Sequence, residues 1–309
     1  MAKLQSTEIV GVANRPATIC ANTMCIWFDT TILKPMASYC GYGAGSWSAG
    51  GALITARSTL AGAGTQNAGL AMGGALTLSC TEEYNGTSWS VGGALITGRR
   101  DFAGAGTQNE GLAAGGFDGQ NPASCTEEYN GTSWSAGGAL ISGRYGIAAA
   151  GTQNLGLAMG GWACVTTTEE YNGTSWSAGG GLIIGRSYIA GAGTQNAGLA
   201  IGGQYGATGQ RYTEEYNGTS WSAGGQLIIG RHSLAGAGTQ NAALAAGGNV
   251  STCSEEYNGT LWSQGSAMIT SRANMPGAGS QNEGLIMGGN GTTCTEEYNK
   301  PFTIVDTCL

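Results

Sequence analysis

One stretch of this sequence returns six times, and that recurrence constrains the fold more than any other feature. From Arg57 the unit reads RSTLAGAGTQNAGLAMGGALTLSCTEEYNGTSWSVGGALITG. Equivalent arginines follow at Arg99, Arg144, Arg186, Arg231 and Arg272, with spacings of 42, 45, 42, 45 and 41 residues. The tyrosines of the EEYN step keep the same register at Tyr84, Tyr129, Tyr171, Tyr216, Tyr257 and Tyr298, as do Trp47, Trp89, Trp134, Trp176, Trp221 and Trp262. A unit of this length cannot cover its own apolar faces, so its copies must pack on one another.

The period suits a helical repeat or a four-stranded sheet, and the punctuation decides between them. Gly-Gly, TQN and Asn-Gly interrupt each unit every 8 to 12 residues, leaving runs long enough for strands and too short for helices. The first strand reads LAGAG, then a turn at TQN, a second strand AGLAMGG, a variable loop, a third strand CTEEYN, a tight Asn-Gly turn and a fourth strand SWSVGGALIT. Asn-Gly is expected as a type I′ turn with positive φ at both central residues. In the third strand Cys80, Glu82 and Tyr84 share one face while Thr81 and Glu83 share the other. The expectation is an all-β chain, a β-propeller of four-stranded antiparallel blades. Closure of such a ring removes open sheet edges.

The Gly-Gly doublet, the Tyr ten to thirteen residues later, the Trp five beyond it and the Arg ten beyond that resemble the kelch repeat, over about residues 45 to 300. The wording LAGAGTQNAGLAMGG with TEEYNGTSWS is also similar to kelch-like repeats of marine bacteriophage virion proteins. That resemblance implies a virion location, assembly in the host cytoplasm, and other virion proteins or a host-surface glycan as partners.

Blade count is open between six and seven. Stepping back 42 residues from Arg57, Tyr84 and Trp89 lands on Arg15, Tyr42 and Trp47, which favours a degenerate first blade, although Thr31 and Ile32 replace its glycine doublet. Seven blades then run roughly 15–56, 57–98, 99–143, 144–185, 186–230, 231–271 and 272–309, with residues 1–14 as a closing strand or arm. PFTIVDTC at the other end competes as the closing strand. In the six-blade alternative Trp47 supplies the fourth strand of the last blade, and residues 1–44 become an arm.

Composition narrows the function. Only 10% of residues are charged and the net charge is -7, which disfavours nucleic acid and anionic lipid as partners. No apolar run reaches membrane-spanning length and no secretory signal is visible, so neither membrane insertion nor export is expected. The nine cysteines are then read as reduced, buried small apolar residues, and the NGT triplets as turns rather than glycosylation acceptors. His232 is the only histidine, which argues against a two-imidazole copper site and against a His-based triad. Neither metal nor cofactor is expected.

A residue present in every blade is best explained by the fold. Arg57, Arg99, Arg144, Arg186, Arg231 and Arg272 are expected to pair with Glu82-type or Glu83-type carboxylates between neighbouring sheets, and the Tyr and Trp rings to fill the space between blades. Binding belongs on the face that carries the second-to-third-strand loops and the blade-to-blade connections, where length and composition vary. The candidates there are Phe117, Asp118, Gln120, Asn121, Trp162, Gln204, Tyr205, Arg211 and Tyr212 from the loops, with Arg100, Asp101, Tyr145, Tyr188 and His232 from the connections. Aromatic rings beside Gln, Asn and Asp suit a sugar. The expected function is non-enzymatic: a tail-fibre, adhesin or capsid-surface protein, with a homo-oligomer among the assemblies open to it. An intracellular protein-interaction propeller and a glycan-degrading enzyme using Asp101, Asp118 or Arg211 are the rivals.

Overall fold

The computed structural model describes residues 11–12, 24–29 and 34–308. It divides the chain into two compact units, one of residues Ser46–Asn299 and one of Met1–Gly45 with Lys300–Leu309. The larger unit is a β-propeller of six four-stranded antiparallel blades, each an up-and-down meander. In blade I the strands are Ala61–Thr65, Ala68–Met72, Thr81–Tyr84 and Trp89–Val91. Blades II to V repeat this order, starting at Ala103, Ala148, Ala190 and Ala235. A single 3-10 turn, Ala75–Thr77, is the only helical element among the described residues.

Blade VI corrects the favoured count of seven. Its first three strands are Gly277–Gly279, Glu283–Met287 and Thr295–Asn299, and its fourth is Ser46–Ala49, with Trp47 directly opposite Tyr298. The ring therefore closes at six, with the start of the repeat region completing its end. The proposed degenerate blade has no such place: Lys34–Tyr42 pairs with Met24–Asp29 on one side and with Phe302–Cys308 on the other. Gly11–Val12 runs parallel to Phe28–Asp29. PFTIVDTC is thus a strand of the smaller unit. Arg15, Thr31, Ile32 and most of residues 1–14 lie outside the described residues. The match of Tyr42 and Trp47 to the repeat register was misleading because Trp47 belongs to blade VI and Tyr42 to another sheet.

The repeated residues build the blades. Each repeated arginine is buried and meets the first glutamate of the EEY step of its own blade at 2.7 to 3.1 Å, so the pair lies within a blade and not between neighbouring sheets as expected. Arg57 also donates to the carbonyls of Gly73 and Cys80, while Glu82 accepts from the amides of Ile54 and Thr55. The pair thereby clamps the connection arriving from one blade onto the sheet of the next. A buried pair of this kind is worth little against an apolar substitute, but orphaning one partner costs about 3–5 kcal/mol.

The second glutamate faces the following blade. Tyr129, Tyr171, Tyr216 and Tyr257 donate their hydroxyls at 2.5 to 2.6 Å to Glu83, Glu128, Glu170 and Glu215 of the preceding blade. Tyr298 bonds Glu256 in the same way. Tyr84 closes the circle on Glu297 at 2.6 Å. The tryptophan indoles follow, Trp134 donating to Thr81 Oγ1 at 3.1 Å and to the Gly93 carbonyl at 3.0 Å. Between blades I and II the core is Ala61, Ala63, Leu70 and Met72 against Phe102, Ala113, Tyr129 and Trp134.

Three local readings need correction. Only the glycine of the Asn-Gly turn has positive φ, Gly86 at 89°. Asn85 instead holds a four-residue loop by accepting from the amides of Thr87 and Ser88, so the turn is not type I′. The fourth strand ends at Val91, because the glycines beyond it pass too close to the neighbouring blade's turn for a Cβ to fit. Cys80, Cys125, Cys164, Cys253 and Cys294 are unpaired and half-buried rather than buried.

Two outcomes follow from these contacts. Glu127→Ala, which strands Arg99, lowers the unfolding free energy in urea by about 3–5 kcal/mol, whereas Glu110→Ala on the exposed surface changes it by less than about 0.5 kcal/mol. Burial, then the glutamate partner, pushes the Tyr171 and Tyr257 phenols up to about 12 from 10.0. Their contribution is complete below pH 10.0 and disappears as pH rises through about 12, so urea midpoints fall across that window. Tyr171→Phe makes the fall shallower.

Candidate functional site

The mouth of the central channel is built at a fixed offset from the repeated arginines. Two residues after each one stand Thr59, Asp101, Gly146, Tyr188, Ser233 and Asn274, all with φ between 52° and 64°. Their backbones form a closed circle. Each amide donates to the carbonyl of the equivalent residue one blade back, at 2.7 to 2.9 Å, from Asp101 to Thr59 and round to Thr59 on Asn274. A left-handed conformation costs a non-glycine residue roughly 1 kcal/mol or more, and the circular bonding holds five such residues in it. One position further on, Leu60, Phe102, Ile147, Ile189, Leu234 and Met275 form an apolar floor, and together the two rings line a cavity of about 80 Å³.

The positions that flank this ring come in pairs. The residue directly after each arginine exchanges backbone hydrogen bonds with, or lies beside, the residue after the glycine doublet. Arg100 pairs with Phe117 in this way, and the Trp162 amide donates to the Tyr145 carbonyl at 2.7 Å. Elsewhere the pairs are small or polar: Ser58 with Ala75, Ser187 with Gln204, His232 with Asn249 and Ala273 with Asn290. The doublet permits this approach because Gly73 and Gly74 have φ of 57° and 133°, and a Cβ on Gly73 would lie 2.7 Å from the Arg99 carbonyl.

Blades II and III alone carry large side chains at both positions, and these rings join into one row. Phe117 meets Tyr145 edge-on at 5.5 Å, Tyr145 stacks on Trp162 at 5.5 Å, and Trp162 meets Tyr188 edge-on at 6.3 Å. Trp162 is half-exposed. The Arg100 guanidinium lies 4.8 Å from the Phe117 centroid and bonds Asp101 Oδ2 at 2.8 Å. Asp101 is only 5% exposed, and burial pushes its carboxyl above the usual range despite Arg100. Burial, reinforced by Asp101 and Tyr145, takes the Tyr188 phenol up to about 12, so it is neutral at ordinary pH.

The structure thus brings Arg100, Asp101, Phe117, Tyr145, Trp162 and Tyr188 together. Asp118 has a local role: it accepts from the amides of Asn121 and Gln120, which hold its carboxyl below the usual range. Gln120 and Asn121 are exposed parts of that turn. Gln204 and Tyr205 form a separate short hairpin with Thr208–Gly209. Arg211 donates to the Leu227 carbonyl at 2.6 Å, Tyr212 is exposed, and His232 lies 3.1 Å from the Ser233 hydroxyl with its basicity lowered by burial. Among the described residues no ring contact or hydrogen bond links Tyr205, Arg211, Tyr212 or His232 to the aromatic row.

Sequence reading missed Thr59, Ser233 and Asn274, whose signal was their constant offset from arginine. It also missed the glutamine of TQN. Gln108 donates to the carbonyls of Gly69 and Tyr84 of the preceding blade, and Gln66, Gln153, Gln195, Gln240 and Gln281 repeat the arrangement.

The solved structure of YjhT resembles this chain with a TM-score of 0.67 at 13% sequence identity, covering 82% of this chain and 99% of that one. At that identity the likeness is one of fold alone. No family profile matches the sequence, and no curated protein does.

Replacing Asp101 by Asn removes the negative charge beside Tyr188 while leaving its burial. The phenol then titrates below its present value of about 12 and above 10.0, measurable by ultraviolet difference titration against Tyr188→Phe. An unchanged titration would separate the two side chains.

Proposed function

We propose that this chain is a non-enzymatic virion protein, a tail-fibre, adhesin or capsid-surface component, whose loop face binds host-surface glycan. The observation that carries the binding reading is the continuous row Phe117, Tyr145, Trp162 and Tyr188 at the rim of a polar-lipped channel mouth. Aromatic faces stack on the apolar side of a sugar, and nearby hydroxyl, amide and carboxylate groups bond its hydroxyls. The kelch and phage-virion assignments rest on the sequence resemblance described above. Binding is favoured over glycan hydrolysis because, among the described residues, Asp101 is the only acidic one lining the mouth, whereas the usual hydrolytic mechanism needs two.

A protein neighbour in the virion is the second reading, and one observation favours it. Ile54, Ile96, Ile141, Ile183, Ile228 and Ile269 recur in the six connections and are each 47% to 64% exposed, one apolar side chain per blade that a neighbour matching the six-fold repeat would cover.

Glycan-array and host-cell binding by the purified protein test the first reading. Trp162→Ala is expected to weaken binding at least about tenfold, with Tyr205→Ala having a smaller effect. Undiminished binding by Trp162→Ala would remove the aromatic row from the function, and absence of binding to any glycan would leave the neighbouring-subunit reading.

A further inference from the structure

The charge arrangement at the mouth narrows the ligand class. The chain has 12 basic residues, and in the propeller six of them are the buried arginines paired with glutamates inside the blades. Two remain on the loop face, Arg100 and Arg211. Arg211 directs its Nε to the Leu227 carbonyl and has no contact with the row among the described residues. Arg100 is engaged on two sides, its NH1 on Asp101 Oδ2 and its flat face over Phe117. Arginine forks are a favoured means of holding carboxylate, sulfate or phosphate groups, and among the described residues no second arginine joins the carboxylate-paired Arg100 at the row.

We infer that the site selects uncharged, hydroxyl-bearing glycans and excludes those carrying carboxylate, sulfate or phosphate, an inference that rests on the glycan-binding reading above. Asp101 is the deciding group. Its Oδ2 is bonded to Arg100, while Oδ1 accepts no hydrogen bond among the described residues, and Asp101 is one of the residues lining the mouth cavity. Tyr188 and Asn274 line the same cavity, and the Tyr188 hydroxyl and Asn274 side-chain amide are likewise without hydrogen bonds among the described residues. A sugar hydroxyl both donates and accepts, so it satisfies all three groups. An anionic substituent only accepts: it is refused by Asp101 Oδ1 and repelled at close range by a carboxylate largely removed from water, where like charges interact strongly. The net charge of -7 adds a weaker repulsion at longer range.

The test measures the wild-type protein against pairs of glycans that differ only by a carboxylate or sulfate. The neutral member is expected to bind at least tenfold more tightly at neutral pH. Asp101→Asn removes the repulsion and releases Arg100, so the ratio is expected to collapse toward one or invert. Thermal melting and circular dichroism check that the variant is folded; if it is not, the wild-type ratio decides alone. Equal or tighter binding of the acidic member by wild type overturns the inference and leaves glycan binding standing, as does a folded Asp101→Asn protein with the wild-type ratio. Failure to bind any member of either class overturns both.

Discussion

A sheet four strands wide, built from Ala, Gly and Leu with one Tyr and one Trp, has two apolar faces and no means of covering either by itself. Everything else in this molecule follows from covering both with copies of the same sheet. The inner positions are small because neighbouring inner strands nearly touch: a Cβ on Gly104 would come within 2.7 Å of the Gly62 carbonyl. The outer positions are large because the blades splay apart, and Tyr and Trp fill the widening wedge. Several of the polar groups that such packing buries are answered across the gap. Tyrosine meets the preceding blade's glutamate, indole meets threonine, and glutamine meets two main-chain carbonyls. Buried polar groups satisfied in this way fix which face meets which.

Much of the fold was legible because the repeat makes each residue's role visible six times over. The two faces of the EEY strand and the glycine doublets could be assigned from spacing and strand alternation, whereas Arg57 and its equivalents were expected between neighbouring sheets and pair instead with the first glutamate of their own blade. Blade number was not legible, since register matching cannot distinguish a diverged repeat from the separated end of an existing one. Trp47 satisfies both descriptions, and only its pairing with Tyr298 decides. The Asn-Gly turn failed for a different reason: the Asn85 side chain bonds the loop amides itself, a local interaction that competes with the type I′ geometry.

The candidate site was half legible. Spacing placed Arg100, Asp101, Phe117, Tyr145, Trp162 and Tyr188 on one face, but not in contact, because the Phe117–Tyr145 and Trp162–Tyr188 ring contacts join neighbouring blades and depend on how the ring sets one blade against the next. Asp118 illustrates the opposite error, a loop carboxylate whose partners are its own turn amides. The site is where the six-fold pattern is broken: the same two positions that are Ser58 and Ala75 in blade I are Tyr145 and Trp162 in blade III. A symmetric scaffold supplies identical backbone slots, and function enters through what fills them.

The account turns on ring closure by Ser46–Ala49. An experimental density map of the purified chain, viewed down the channel axis, tests this directly. It is predicted to show six blades around the channel, with Trp47 seated on Tyr298 in the outer strand of the last. Seven blades around the channel, or Trp47 in a sheet with Tyr42, would contradict it.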